Sequence, residues 1–439
     1  MASALVLSPG ARRIAVPAVA LGLFSIAVSA FAGPTGAPLT LPDALALAET
    51  QGFDALAAAA AVRGAEGDAD AVRRLPNPQV SGAYLHSTSV PVPGGETSSS
   101  GYAVTASDQG LAEGAATGKR SLRISEAESA VASARSNRED ALRTLRRETE
   151  RAFYGVLLAE ATAGVDRDVA ESYARTLELV DERLRWGAAS RVDRARVETA
   201  KLEADQEVTA AGAEIARARA ELGVWLGGRD LEGVVLDGRL DGAPPAWTGA
   251  DFASLRAEAL AKRPDVAAAR ADAARADAGV DLARRERIPD VALTAGYGRQ
   301  GPDAAPVTPP TFSLAAAFEL PVFSQRQGEI ARAESDREIA RVALARAEAR
   351  ASADVRSAWA SLSAAREQVA RMESALLTRA REARELVRYQ YREGAVSLLD
   401  LLDAERTALQ VERERLQNLY DLRAAAADLA AAVGRTVAP

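Results

Sequence analysis

The chain repeats itself. The run from Phe53-Asp54-Ala55 through Pro78-Gln79-Val80 to Tyr84 returns 211 positions later as Pro264-Asp265-Val266 through Pro289-Asp290-Val291 and on to Tyr297. A second run, Trp186-Gly187-Ala188-Ala189-Ser190-Arg191-Val192-Asp193, returns 207 positions later as Glu393-Gly394-Ala395-Val396-Ser397-Leu398-Leu399-Asp400. Two nearly equal offsets mean a tandem duplication, and each half is far longer than a solenoid unit. Each half reads helix, two strands, very long helix, turn, helix. The halves span residues 39–228 and 251–434, with a glycine- and proline-rich linker at 229–250 and an unstructured tail at 435–439.

Aromatic residues make up only 5% of the chain, and its apolar side leans on alanine. Such a composition suits close helix packing better than one large core. The net charge of -7 is mild and the charges are mixed, so nothing suggests a nucleic-acid footprint. There is no cysteine, a usage compatible with an oxidising compartment and incompatible with a lipidated N-terminal cysteine. Residues 1–32 read as a secretory signal, with Arg12-Arg13, an apolar stretch and a small-x-small cleavage site at Ala30-Phe31-Ala32. After Gly33 no apolar run is long enough to span a bilayer as a helix, so membrane entry would require strands.

Thr40 and Asp43 open an alanine-rich helix that runs to about residue 74, where Pro76 and Pro78 end it. Strands are expected at 80–89 and 102–111 around a loop at 91–101, then at 291–299 and 312–321 around a loop at 301–310. Phe312, Leu314, Ala316, Phe318 and Leu320 alternate with small or polar residues. Strands of about nine or ten residues match a tilted transmembrane strand. Four of them are too few to close a barrel with a bore.

Residues 115–185 and 329–392 lack proline, and the first run permits a helix of about 105 Å. Val355, Leu362, Val369, Leu376 and Ala383 recur every seventh residue, as do Leu402, Leu409 and Leu416. Sustained heptads mean supercoiled helix pairing.

Gly187 and Gly394 lie where the long helices must reverse, and Ser190 and Ser397 are placed to cap the returning helices with Asp193 and Asp400. Capping alone accounts for those two aspartates at least as well as a functional role does. Asp403, whose counterpart is Arg196, has no capping duty. It shares a helix face with Asp400, and several chains meeting here would form an acidic ring. The single histidine, His86, falls in a strand and reads as structural or exposed. Glu148 and Glu150 read as a solvated helix face. No metal-ligand cluster, phosphate loop or nucleophile elbow is present, so nothing argues for an enzyme.

Taken together, the doubled order of elements, Pro264-Asp265-Val266 with Pro289-Asp290-Val291, Leu320-Pro321-Val322-Phe323 with Gly328-Glu329-Ile330, and Tyr391-Arg392-Glu393-Gly394 with Ser397, Asp400, Leu402 and Asp403 resemble the TolC-like outer-membrane efflux protein family. The resemblance covers nearly all of the chain after its signal. It implies a mainly α protomer with a small β part, assembled as a homotrimer with a 12-stranded barrel in the lipid of the outer membrane and a periplasmic helical tunnel. It further implies no cofactor, a periplasmic adaptor (membrane fusion) protein and an inner-membrane efflux transporter as partners. Aperture or gating positions would be Asp400, Asp403, Asp193 and Tyr391. Adaptor-docking positions at the tips would be Arg185, Gly187, Ser190, Arg392, Gly394 and Ser397. The competing class is a secreted or periplasmic coiled-coil structural protein without a pore, whose strands form a small cap.

Overall fold

A computed structural model describes residues 38–108, 117–242, 244–303 and 309–435. The signal expected at 1–32 lies outside these residues, as do the end of the strand expected to reach 111, the middle of the loop at 301–310 and the last four residues of the tail.

The first repeat begins with a short strand, β1 (Leu39–Thr40), and a helix that breaks at Gly52 into α1 (Leu41–Gln51) and α2 (Phe53–Arg73). Strands β2 (Gln79–Val92) and β3 (Gly95–Ser107) follow, then α3 (Lys119–Arg185) and α4 (Arg191–Trp225). Between the repeats, β4 (Leu236–Asp237) pairs in parallel with β1, and a 3₁₀ turn spans Ala246–Gly249. The second repeat holds α5 (Phe252–Lys262), α6 (Pro264–Arg285), β5 (Val291–Pro302), β6 (Thr311–Phe318), α7 (Gln327–Arg371), α8 (Leu377–Arg392) and α9 (Leu398–Val433). A π turn, Met372–Leu376, joins α7 to α8.

The four long strands form one antiparallel sheet in the order β2-β3-β5-β6. Register places Tyr84 opposite Tyr102, Val104 opposite Tyr297, and Tyr297 opposite Phe312. Directly paired residues share a face, so one face carries Val80, Tyr84, Tyr102, Val104, Leu293, Tyr297, Phe312, Leu314 and Phe318. The other carries Ser81, Ala83, Thr105, Thr294, Gly296, Ser313 and Ala315, with Leu85 its large apolar exception. Phe312 and Leu314 are 78% and 85% exposed, an apolar face that nothing among the described residues covers. The loop expected at 91–101 is instead a tight hairpin. Gly94 and Gly95 take φ of 104° and 151° and turn the chain, and the serines and threonines that read as loop extend β3. The strands are accordingly uneven, at 14, 13, 12 and 8 residues.

Helix α3 has 67 residues and runs unbroken, a length of about 100 Å at 1.5 Å per residue. Leu145, Ala152, Ala159, Asp166, Tyr173 and Val180, each seven apart, are all buried along it. The polar member of that seam, Asp166, accepts from Arg413 of α9 at 2.7 Å. In the second repeat Val355 and Leu362 are buried as the heptad requires, but Leu376 is 45% exposed and Ala383 is also exposed. The π turn is the cause. It holds one residue more than an α turn, so the seam passes to Leu377 and then to Tyr391. Helix α3 packs against α4, α2, α6 and α9, while α9 packs against α7 and α8. Separate apolar clusters pack α1 against α3 and α4, α5 against α7 and α9, and α3 and α4 against α8 and α9 at the far end of the shaft. Among the described residues, no helix is long and apolar enough to cross a membrane.

Glu150 departs from its expected solvated position. It is buried on α3, and burial pushes its carboxyl up to about 7 despite the opposing charge of Arg146.

Candidate functional site: the helix tips

The far end of the shaft is two reversals of the same construction. At the first, Gly187 takes φ 72°, its N–H donates to the Leu184 carbonyl, and the Ala188 N–H donates to the Arg183 carbonyl at 2.8 Å. At the second, Gly394 takes φ 77°, bonds the Tyr391 carbonyl, and Ala395 bonds the Gln390 carbonyl at 2.8 Å. Each is a Schellman closure, which requires the left-handed conformation that glycine adopts without a Cβ penalty.

The returning helices start from reciprocal capping boxes. The Asp193 N–H donates to Ser190 Oγ at 3.0 Å, and the Ser190 N–H donates to the Asp193 carboxylate at 3.1 Å. Ser397 and Asp400 repeat the arrangement at 3.3 and 2.9 Å. The serine hydroxyl and backbone bonds hold both aspartates below the usual carboxylate range. A depressed folded-state pKa means that the caps stabilise at neutral pH. That contribution is lost as pH falls through the carboxylate range. Asp193 and Asp400 are thus engaged with their own helices. Asp403 is exposed and has no hydrogen-bond or ion-pair partner among the described residues.

Tyr391 is 5% exposed, packed with Val180, Val197, Leu398, Leu401 and Leu402. Burial raises its phenol, with Arg183 opposing the shift. Arg183 was not singled out by sequence reasoning. It stands 4.7 Å over the Tyr391 ring and donates to the carbonyls of Tyr391 (2.9 Å) and Arg392 (2.7 Å). One guanidinium therefore fastens the end of α3 to the end of α8. Arg185, Gly187, Ser190, Arg392, Gly394 and Ser397 are all exposed at the reversals. Among the described residues no group of acidic and histidine side chains could hold a metal ion.

With a duplicated protomer, a bare apolar sheet face and paired capped tips in view, comparison with known proteins decides the class. The outer membrane efflux protein family matches residues 45–228 and 255–435. The chain belongs to this family. It is an outer-membrane efflux channel, and the poreless coiled-coil alternative falls away. The cobalt-zinc-cadmium resistance protein CzcC of Cupriavidus metallidurans is 27% identical over 417 residues, covering 93% of each chain. The pyoverdine export outer membrane protein OpmQ of Pseudomonas putida is 32% identical over 197 residues, 42% of this chain and 41% of OpmQ. A crystal structure of a membrane protein from Pseudomonas aeruginosa shares the fold with a TM-score of 0.77 at 19% identity, covering 90% of this chain and 93% of that one.

Proposed function

We propose that three copies of the chain close into one duct, crossing the outer membrane as a 12-stranded barrel and the periplasm as a helical shaft. The duct is the passive exit of a tripartite pump, with a periplasmic adaptor and an inner-membrane transporter beneath its tips. The observation that carries this reading is the sheet. Its exposed face is apolar, yet among the described residues β2 and β6 each have an unpaired edge. In hydrocarbon such edges cost several kcal/mol per unsatisfied group, so only closure by further strands is viable. Closure by three copies, as the family resemblance implies, gives a barrel wider than the eight-stranded ones that side chains fill.

In this duct Arg183 and Tyr391 hold the aperture closed and Asp403 lines its rim. Asp400 and Asp193 shape the turns around it. The turns that dock the adaptor present Arg185, Gly187 and Ser190 on one tip, and Arg392, Gly394 and Ser397 on the other. The end-to-end likeness to a cobalt-zinc-cadmium resistance protein supports transition-metal cations as cargo, delivered by the pump rather than bound by the wall. Membrane fractionation followed by native mass measurement tests the assembly, and an outer-membrane trimer is expected. A soluble monomer would remove the duct reading. Deleting the gene should sensitise the host to cobalt, zinc or cadmium, and unchanged tolerance to all three would remove the cargo assignment.

A further inference from the structure

We infer that the two tips are specialised, and that the α3–α4 tip supplies the main anchor for a partner whose docking end is acidic with an apolar notch. This deepens the docking reading above and rests on it.

Residues 185–196 and 392–403 correspond one for one at the 207-residue offset, but their charges are opposed. The first stretch has Arg185, Arg191, Arg194 and Arg196 against Asp193 alone, and the second has Arg392 against Glu393, Asp400 and Asp403. Internal contacts use only part of this. Asp193 and Asp400 are committed to their caps, and Arg194 is paired with Asp181 and Glu198 at 2.7 Å each. Arg185 and Arg191 remain exposed with no carboxylate partner among the described residues, beside an exposed Arg196.

Trp186 separates the tips further, because its counterpart is Glu393. The indole is 83% exposed and makes no ring contact among the described residues. Val192 beside it is 59% exposed, a feature the other tip shares through Leu399 at 61%. An indole in water adds nothing to the stability of the protomer. Tryptophan and arginine together are the residue types that dominate binding hot spots.

The acidic tip of another copy is the competing occupant. Within one protomer the two tips already touch, through Arg183 and the carbonyls of Tyr391 and Arg392. Even so, neither Arg185, Arg191 nor Arg196 forms an ion pair with Glu393 or Asp403. The exposed arginines of the first tip therefore stay available to whatever meets the end of the shaft. The partner's chemistry follows by complementarity. Carboxylates answer the arginines, setting register and association rate, and an apolar recess accepts the indole.

A photo-crosslinking residue placed at position 186 or 399 of the full-length channel, in cells carrying the tagged adaptor of the host pump, tests this. Position 186 should give an adaptor adduct. With purified trimer, Trp186→Ala and the double variant Arg185→Glu/Arg191→Glu should each weaken adaptor binding about tenfold or more, whereas Glu393→Arg should leave it within about twofold. Binding through the basic tip should also weaken as salt is raised. Adducts at 399 and none at 186 would overturn the specialisation while leaving tip docking intact. Adducts at neither would overturn both. Protomer-to-protomer adducts at 186 would assign the indole to the neighbouring copy and overturn the proposal.

Discussion

Gly118 and Arg326 hold the same post in the two repeats. Each is the N-cap residue of a long helix, and each is left-handed, at φ 68° and 56°. Arg326 is the only non-glycine residue with positive φ among the described residues. Its guanidinium donates to Glu286 at 2.6 Å, and Glu286 also accepts from Arg123 at 3.3 Å. That pairing offsets backbone strain of roughly 1–2 kcal/mol for a residue with a Cβ.

At residue 118 a Cβ would have room, its nearest neighbour being Ser121 Oγ at 4.0 Å. Gly118→Ala should therefore lose only the backbone preference, about 1 kcal/mol of stability in denaturant unfolding. Arg326→Gly trades relieved strain against a partly exposed ion pair and should fall within about 0.5 kcal/mol of the parent. Equal losses in the two variants would mean that the caps are not under comparable strain.

The π turn makes a sharper test. Val369 and Leu377 both face the core, eight residues apart, where the heptad elsewhere spaces seven. Deleting Ser374, an exposed residue within the turn, should let α7 and α8 join as one α-helix with the seam intact. Thermal stability should hold or rise. Deleting the exposed Ala360 has no spare residue to absorb it and would rotate the following seam by about 100° per residue. That variant should lose trimer and efflux. Similar damage from both deletions would show that the turn is not a register shift.

The same segment marks what the sequence could and could not reveal. Heptads were legible as far as Val369 because core positions repeat in the chain itself. Neither Pro nor Gly marks the insertion at 372–376, so Leu376 and Ala383 were placed one residue off the seam. Strand pairing was legible from the alternation at 312–320. The hairpin at 93–94 was not, since serine and threonine fit a strand and a loop equally well. At the tips, glycine and Ser-x-x-Asp spacing announced the reversals. The Arg183–Tyr391 contact joins residues 208 apart, and local pattern carries no trace of it.

Glu150 makes stability pH-dependent in the unusual direction. Its folded-state pKa of about 7 lies above the ordinary carboxyl value, so the native state holds a proton that the unfolded chain has released. Stability from this group is present at acid pH, falls as pH rises from the unfolded value toward 7, and then levels off. Glu150→Gln should flatten that profile and stabilise the protein at pH 8 by about 1–3 kcal/mol, read by denaturant unfolding at several pH values. A parent and variant with parallel profiles would mean that Glu150 is ionised at no cost.

Asp400 and Asp403 should separate on substitution. Asp400→Asn leaves a side chain that still caps but loses its charge at the helix start, so a small loss of stability is expected. Asp403→Asn removes an unpartnered carboxylate and should leave stability unchanged. In planar bilayers Asp403→Asn should reduce block of current by divalent or trivalent cations, as expected for an acid on the pore rim. Full block in the double variant would leave both aspartates without an aperture role.

Arg183 should set how tightly the aperture stays shut. Its two charge-assisted bonds to the α8 carbonyls are each worth about 1.5–3 kcal/mol, and the contact with the Tyr391 ring adds about 0.5–2 kcal/mol. Arg183→Ala removes all three, so the closed state should lose ground and single-channel conductance should rise. Arg183→Lys keeps the charge but not the planar fork, and should give an intermediate conductance. Tyr391→Phe retains both the ring and the backbone carbonyl but loses the phenol's interaction with Arg183, so its conductance should fall close to the parent and well below that of Arg183→Ala. Tyr391→Ala loses the ring and opens a cavity in the tip core, so it should raise conductance and lower stability together. The ordering is the discriminating result, because a purely structural role for Arg183 would lower stability without changing conductance. Parental conductance in Arg183→Ala would place the closure elsewhere.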